Sequence, residues 1–307
     1  MITLAVRSAA LTATLAWFAA VASPRSAGAQ GSCSVPHSSP GAVQGNGVSS
    51  LQPGSGWIQA TLFRLDTREQ FGTGGSRERY FSQGHLVTTS LLVTGAVGVR
   101  RGAELWAQLS GHALDFREVT GSRSRTGLGD VRLWVRLGPE IFVDDPSTLP
   151  VWVGLRGGVK LPGSEFPVDA LIIPLTEGQR DDELALEAGR AFHGGAVLVQ
   201  GWMGRRWRSE NTTSRIAPGN EWFAYLSSTV ATGPLRWKLV MQTLRGAPYR
   251  SFGAPLPTSR RRMFELFPSV AHALGTGQVE VGARFPVAGR NLPAGRALSL
   301  SYLLSWR

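Results

Sequence analysis

The sequence of 307 residues contains a single cysteine, Cys33, so an internal disulfide is excluded. It is also poor in charge. Asp, Glu, Lys and Arg together make up 17% of the chain, and lysine is scarce. A soluble β-sandwich, whose polar face meets bulk water, would carry Lys and Glu in quantity along that face. Here isolated Arg and Glu residues stand among Gly, Ser and Gln. Beyond the N-terminal region no run approaches the ~20 apolar residues that a spanning helix requires. Histidine is sparse too: His37, His85, His112, His193 and His272 form no metal-ligand spacing with another His, Cys or acid. No local Ser–His constellation of the kind a barrel hydrolase needs surrounds them. The chain is therefore not expected to be an enzyme, and neither a metal nor any other cofactor is expected.

What the chain does have is 38 Gly and 10 Trp at a mean hydropathy of −0.03. That combination suits alternating strands, whose oily and polar faces average to neutral. The net charge of +11 would ordinarily suggest nucleic acid. The basic residues are scattered among strands, however, and no nucleic-acid motif accompanies them. Membrane lipids, lipopolysaccharide and anionic solutes are the expected partners.

Residues 1–29 read as a secretory signal. Arg7 supplies the positive charge, Ala9 to Ala22 is a short apolar run, and Ala27-Gly28-Ala29 has the small-x-small form of a cleavage site. Cys33 lies close behind, but Gln30 stands where a lipidation box wants a Leu-like residue. Residues 30–54 are rich in Ser, Gly and Pro and lack periodicity, as expected for a flexible lead segment, either a tail or a plug.

From 55 to 307 one pattern repeats. The last stretch carries it most plainly: Leu298, Leu300, Tyr302, Leu304 and Trp306 fall on one strand face, with Ser299, Ser301 and Ser305 on the other and Leu303 as the apolar exception. Strands are expected at about 55–66, 85–99, 103–117, 127–137, 150–161, 181–192, 196–208, 220–231, from 235, 261–273, from 277 and to the end. Tight Gly-bearing turns alternate with longer polar connections, the exception being 138–149, which is long where a short turn is expected. The predicted fold is all-β: a transmembrane, antiparallel, up-and-down β-barrel of about twelve strands. Residues 120–125 and 289–295 read as loops.

Gly127-Leu128-Gly129-Asp130-Val131-Arg132-Leu133 resembles the start of a strand in the outer-membrane transporter family associated with the meta pathway of phenol degradation. Pro174-Leu175-Thr176-Glu177-Gly178-Gln179-Arg180-Asp181-Asp182 resembles a second segment of that family, with Glu177 departing from it. The likeness covers most of 51–307. It implies a channel or transporter of the bacterial outer membrane for small molecules, hydrophobic or aromatic ones among them, and carries over no catalytic residue. The alternative is a structural or adhesion barrel with a blocked lumen.

By parity Trp106, Trp134 and Trp152 face inward near the periplasmic ends of three successive strands, beside Arg132, Arg136 and Arg156. Together they would suit a planar or anionic aromatic solute through stacking and cation–π contact. Alternatively they fill a narrow lumen and pair with Glu104, Glu183, Glu187 and Glu280. Trp237, Trp306, Trp222 and Phe285 are expected to form outward girdles. Arg205, Arg206, Arg208, Arg215 and Arg260 to Arg262 are expected to gather at the outer rim. Pro268, in mid-strand, should force a bulge or break, a candidate lateral gate. The C-terminal strand, with Trp306 penultimate, is expected to engage the barrel-assembly machinery.

Overall fold

The computed structural model describes residues 50–80, 83–119, 121–145, 149–164 and 174–307. The expected signal segment 1–29, Cys33 and most of the lead segment lie outside them. Twelve staves form the wall: β1 (Gly56–Thr67), β2 (His85–Arg100), β3 (Ala103–Glu118), β4 (in two pieces, Gly121–Leu128 and Val131–Leu137), β5 (Trp152–Leu161), β6 (Asp181–Phe192), β7 (Val197–Arg208), β8 (Glu221–Thr232), β9 (Leu235–Gly246), β10 (Arg262–Leu274), β11 (Gly277–Arg290) and β12 (Arg296–Trp306). Each pairs antiparallel with its neighbours in sequence, and the ring closes where β12 meets β1, from Gly56 opposite Trp306 to Asp66 opposite Arg296. Closure gives each stave a neighbour on both sides, the outer piece Gly121–Leu128 alone pairing with β3 only among the described residues, and a closed ring is what lets a sheet stand in lipid.

The period-two pattern decides which side chains go where. Leu62, Leu91, Leu105, Leu109, Leu133 and Leu155 all point outward and are exposed. So do the expected girdle residues Trp222, Trp237, Phe285 and Trp306. A continuous apolar exterior far exceeds the patch a soluble surface carries; it is a lipid-facing belt. Inside, Trp57, Ala96, Trp106, Trp134 and Leu303 form one buried cluster, and Ala185, Trp202, Phe223, Tyr225 and Val240 another. Leu303, the break in the hydroxyl face of the last strand, is thus a lumen residue packed into a tryptophan cluster. Among the described residues no helix is long and apolar enough to cross a membrane.

The structure departs from the sequence reading in two connections. Residues 121–128, read largely as a polar loop, continue the wall: Gly121 to Leu128 pair with Glu118 to Gly111 of β3. The two-residue break at Gly129-Asp130 then starts the second piece of β4. The segment 289–295 is not a free loop either, because Leu292-Pro293 pairs with Gln70-Phe71 in a small rim sheet. Polar strands that leave the bilayer lose the apolar alternation that marks a strand in sequence. The long inner connection after β4 holds a 3-10 turn, Pro139–Ile141. Its Glu140 accepts hydrogen bonds from Ser50 N and Oγ, both at 2.8 Å, while Leu51 N donates to Glu104 at 2.8 Å. The end of the lead segment is therefore seated in the inner mouth.

At Pro268 pairing with β9 is continuous, Pro268 lying opposite Leu239. Toward β11 the ladder runs from Leu266 opposite Phe285 to Ser269 opposite Gly282 without Phe267 or Pro268, and its register shifts between Phe264 and Glu265. A missing proline N–H removes a ladder bond on one side only, so the expected break is present on one seam.

Candidate functional site

The lumen is the site, and it is lopsided. The arc from β12 through β1 and β2 contributes short hydroxyls, with Trp57 and Leu303 at its inner end. Thr61 and Ser301 meet at 3.0 Å, and Thr94 accepts from Gln108 at 2.8 Å. The arc from β3 to β8 carries an inner and an outer layer of large and charged groups, and β9 to β11 add the pairs Lys238–Glu280 and Arg284–Glu265, so Glu280 does not join the tryptophan–arginine set as expected.

The six residues picked out by parity all prove to be buried, five of them in the inner layer and Arg132 opposite Lys160 toward the outer one. Trp106 lies opposite Trp134, Glu104 opposite Arg136, and Arg136 opposite Arg156. Arg136 bridges Glu104 at 2.7 Å and Glu187 at 2.6 Å, and Arg156 meets Glu187 at 2.5 Å. The aromatic faces are taken by these same guanidinium groups: Arg136 sits 4.3 Å from the Trp152 ring, and Arg156 lies 4.6 Å from Trp106 and 5.2 Å from Trp202. Trp106 Nε1 donates to Glu104 at 2.7 Å, and Trp134 Nε1 donates to Glu183. Gly158 makes room for Trp134, since a Cβ there would stand 2.1 Å from its Cδ1. Arg156 Nε and Nη1 and Trp152 Nε1 are buried and have no hydrogen-bond partner among the described residues. The cluster is thus charge-compensated but keeps three donors unspent.

The outer layer is a second network, which sequence reasoning missed. Arg206 and Arg208 on β7 and Arg261 just before β10 were expected at the outer rim; instead they point inward and are buried. Arg206 meets Glu183 at 3.0 Å and Glu221 at 3.1 Å. Arg208 meets Glu221 at 2.9 Å, and Arg261 also donates to Glu221. Lys160 meets Asp181 at 2.9 Å. Alternation along β7 could have put Trp202, Arg206 and Arg208 on one inward face, but their partners depend on register. Of the expected rim set, Arg205 and Arg262 do face outward. They extend a row in register across five strands: Arg205 opposite Trp222, Trp222 opposite Arg245, Arg245 opposite Arg262, Arg262 opposite Arg290. Arg215 pairs instead with Glu210 at 2.7 Å.

The barrel also makes a Ser–His contact that local sequence spacing could not reveal. Ser90 Oγ and His112 Nδ1 lie 2.8 Å apart on β2 and β3. His112 is packed against Gly129 and meets no carboxylate among the described residues, so nothing orients the ring as a general base. Among the described residues no three His, Cys, Asp or Glu side chains are grouped to hold a metal ion.

No family model matches the chain, and no curated protein sequence does. Among solved structures it is similar to an outer membrane channel from Pseudomonas putida F1, with a TM-score of 0.70 and 14% identity over 86% of this chain and 100% of that one. The CymD monoaromatic hydrocarbon channel aligns at a TM-score of 0.43 and 10% identity, over 84% of this chain and 90% of its own. The β domain of the Bordetella autotransporter BrkA aligns at 0.46 and 15% identity, over 83% of this chain and 100% of its own. At 14% identity the first likeness establishes the twelve-stranded barrel fold.

Proposed function

We propose that the chain is a bacterial outer-membrane channel for small molecules, aromatic ones among them. The observation that carries this reading is the set of unspent donors in the lumen. Arg156 Nε and Nη1 and Trp152 Nε1 stand in a buried, aromatic-walled cluster without acceptors. Buried donors of this kind are costly unless something accepts from them. The carboxylate or hydroxyl of an aromatic solute would do so. The apolar belt and closed ring supply the membrane setting, and the fold shared with an outer membrane channel supports the same reading.

A barrel with a blocked lumen is the second reading. It draws on the seating of Ser50 and Leu51 in the inner mouth and on the guanidinium groups already covering the tryptophan faces. Purified protein in planar bilayers, and benzoate uptake into liposomes, separate the two. A channel gives discrete current steps and saturable uptake; absence of both leaves the structural barrel. Trp152→Ala is expected to lower benzoate uptake with heat-modifiable gel mobility retained, whereas unchanged uptake removes Trp152 from the site. Trp134→Ala should also cost stability, because Trp134 belongs to the buried cluster and donates to Glu183.

Two further parts of the reading concern the wall. The outward Arg205–Trp222–Arg245–Arg262–Arg290 row is suited to lipopolysaccharide phosphates, and Trp306 at the end of β12 to the assembly machinery. The gap in the β10–β11 ladder at Pro268 is the candidate exit into the bilayer for an apolar solute. A disulfide between Leu266→Cys and Phe285→Cys, paired positions beside the gap, should slow toluene uptake; undiminished uptake excludes that exit.

A further inference from the structure

The outer network contains one carboxylate that the wall does not supply. Lys160 lies on β5, Arg208 at the end of β7 and Arg261 just before β10, yet their side chains converge on a single group, Glu177. Lys160 Nζ is 2.8 Å from its Oε2, Arg208 Nη2 is 2.5 Å from its Oε1, and Arg261 Nη1 is 3.6 Å from the same oxygen. The other acids that touch these cations are built into the barrel: Asp181 opens β6, Glu221 opens β8, and Asp130 sits in the break of β4. Glu177 belongs to the connection between β5 and β6 and keeps 18% of its side chain exposed, against 1% for Asp181 and 0% for Glu221.

The contacts divide cleanly by atom. Arg208 Nη1 meets Glu221 and its Nε meets Asp181, leaving Nη2 to Glu177. Arg261 Nη2 meets Glu221, leaving Nη1 to Glu177. The fixed acids take Nη1 and Nε of Arg208 and Nη2 of Arg261. The one terminal nitrogen left on each is aimed at Glu177, a side chain of the β5–β6 connection. Among the described residues of that connection, Glu177 O accepts from Asn211 Nδ2 at 3.0 Å, Gln179 Nε2 donates to Asp181 at 3.2 Å, and Leu175 packs against Leu114.

We propose that Lys160, Arg208 and Arg261 form a carboxylate-binding station in the outer half of the lumen, and that Glu177 fills it as an intramolecular stand-in which a carboxylate solute displaces. The station rests on the channel reading only for the route by which a solute arrives, so binding rather than passage tests it. A tethered group competes at a high effective concentration, and apparent affinity falls with the fraction of sites left competent. Glu177→Gln keeps the size of the side chain and removes its charge.

Calorimetry on the full chain folded in detergent micelles, with benzoate as probe and benzamide as the uncharged control, reads the effect. Benzoate should bind Glu177→Gln on the order of tenfold more tightly than the parent chain, with benzamide unchanged. Adding Arg261→Gln should reverse the gain. Equal or weaker benzoate binding, or an equal gain for benzamide, overturns the proposal. If Glu177→Gln loses heat-modifiable mobility, Glu177→Asp reads the same point through a smaller gain in the same direction, and no gain there overturns it. A tenfold gain in a protein that passes no current supports the station and removes the channel reading instead.

Discussion

Replacing Glu221 with alanine is expected to destabilise the barrel by about 3–5 kcal/mol, the cost of stripping one partner from a buried ion pair. Glu221 is fully buried at the start of β8 and receives Arg206 at 3.1 Å, Arg208 at 2.9 Å and Arg261 as well. Its loss leaves three guanidinium groups in a low-dielectric interior sharing Glu183, Asp181 and Glu177. Water cannot easily take over, because the side chains of Arg206, Arg208 and Arg261 are 4%, 0% and 1% exposed. Urea unfolding of protein reconstituted in vesicles, followed by tryptophan fluorescence, measures the change. Arg180→Ala is the control: it breaks the Arg180–Asp182 pair, whose side chains are 62% and 51% exposed, and exposed pairs contribute about 0–1 kcal/mol. A Glu221→Ala midpoint no lower than the control's would mean that the network does not hold the wall together.

Trp106→Ala is expected to act on stability and on current together. The ring is 3% exposed. It meets Trp57 edge-on at a centroid distance of 5.0 Å, lies 4.6 Å from Arg156 and anchors Glu104 through its Nε1 at 2.7 Å. Truncating a buried tryptophan costs about 3–5 kcal/mol through lost burial and the cavity left behind. Here the cavity opens in the lumen, in the cluster of Trp57, Ala96, Trp134 and Leu303. Single-channel conductance should therefore rise several-fold while the unfolding midpoint falls. A lowered midpoint with unchanged conductance would locate the constriction elsewhere, the seated Ser50–Leu51 segment being the next place to cut.

Much of the fold is legible along the chain because a membrane barrel writes its architecture in parity. Along β3, β4 and β5, alternation alone assigns Trp106, Trp134, Trp152 and the intervening arginines to the lumen, and all prove buried. The same rule places Leu105, Leu133 and Leu155 against lipid. Parity weakens where a strand leaves the bilayer. Residues 121–128 are polar on both faces, so nothing in their hydropathy separates a strand in water from a loop, although they pair with β3 throughout. The outer arginines misled for a different reason. Arg205, Arg206 and Arg208 are neighbours in sequence, and composition treats them as one basic cluster. One residue of offset sends Arg205 to the lipid side and the other two into ion pairs with Glu183, Asp181 and Glu221.

The candidate site was legible as a set of residues and not as a set of interactions. Sequence put tryptophans and arginines on one inward arc; it could not say that the guanidinium groups would cap the rings, which leaves Arg156 Nε and Nη1 as the unspent donors. By itself the sequence determined the class of fold, the number of staves and the facing of residues where a strand alternates, because these follow from local alternation, which a segment displays without its neighbours. Only the tertiary structure decided the partners: Glu104 with Arg136, Glu221 with three arginines, Ser90 with His112, and Glu177 folded in from a connection to meet Lys160, Arg208 and Arg261. Those pairings depend on strand register and on how the ring closes. A single residue of slip would exchange every inward partner, and no stretch of the chain read alone records which register the closed sheet adopts.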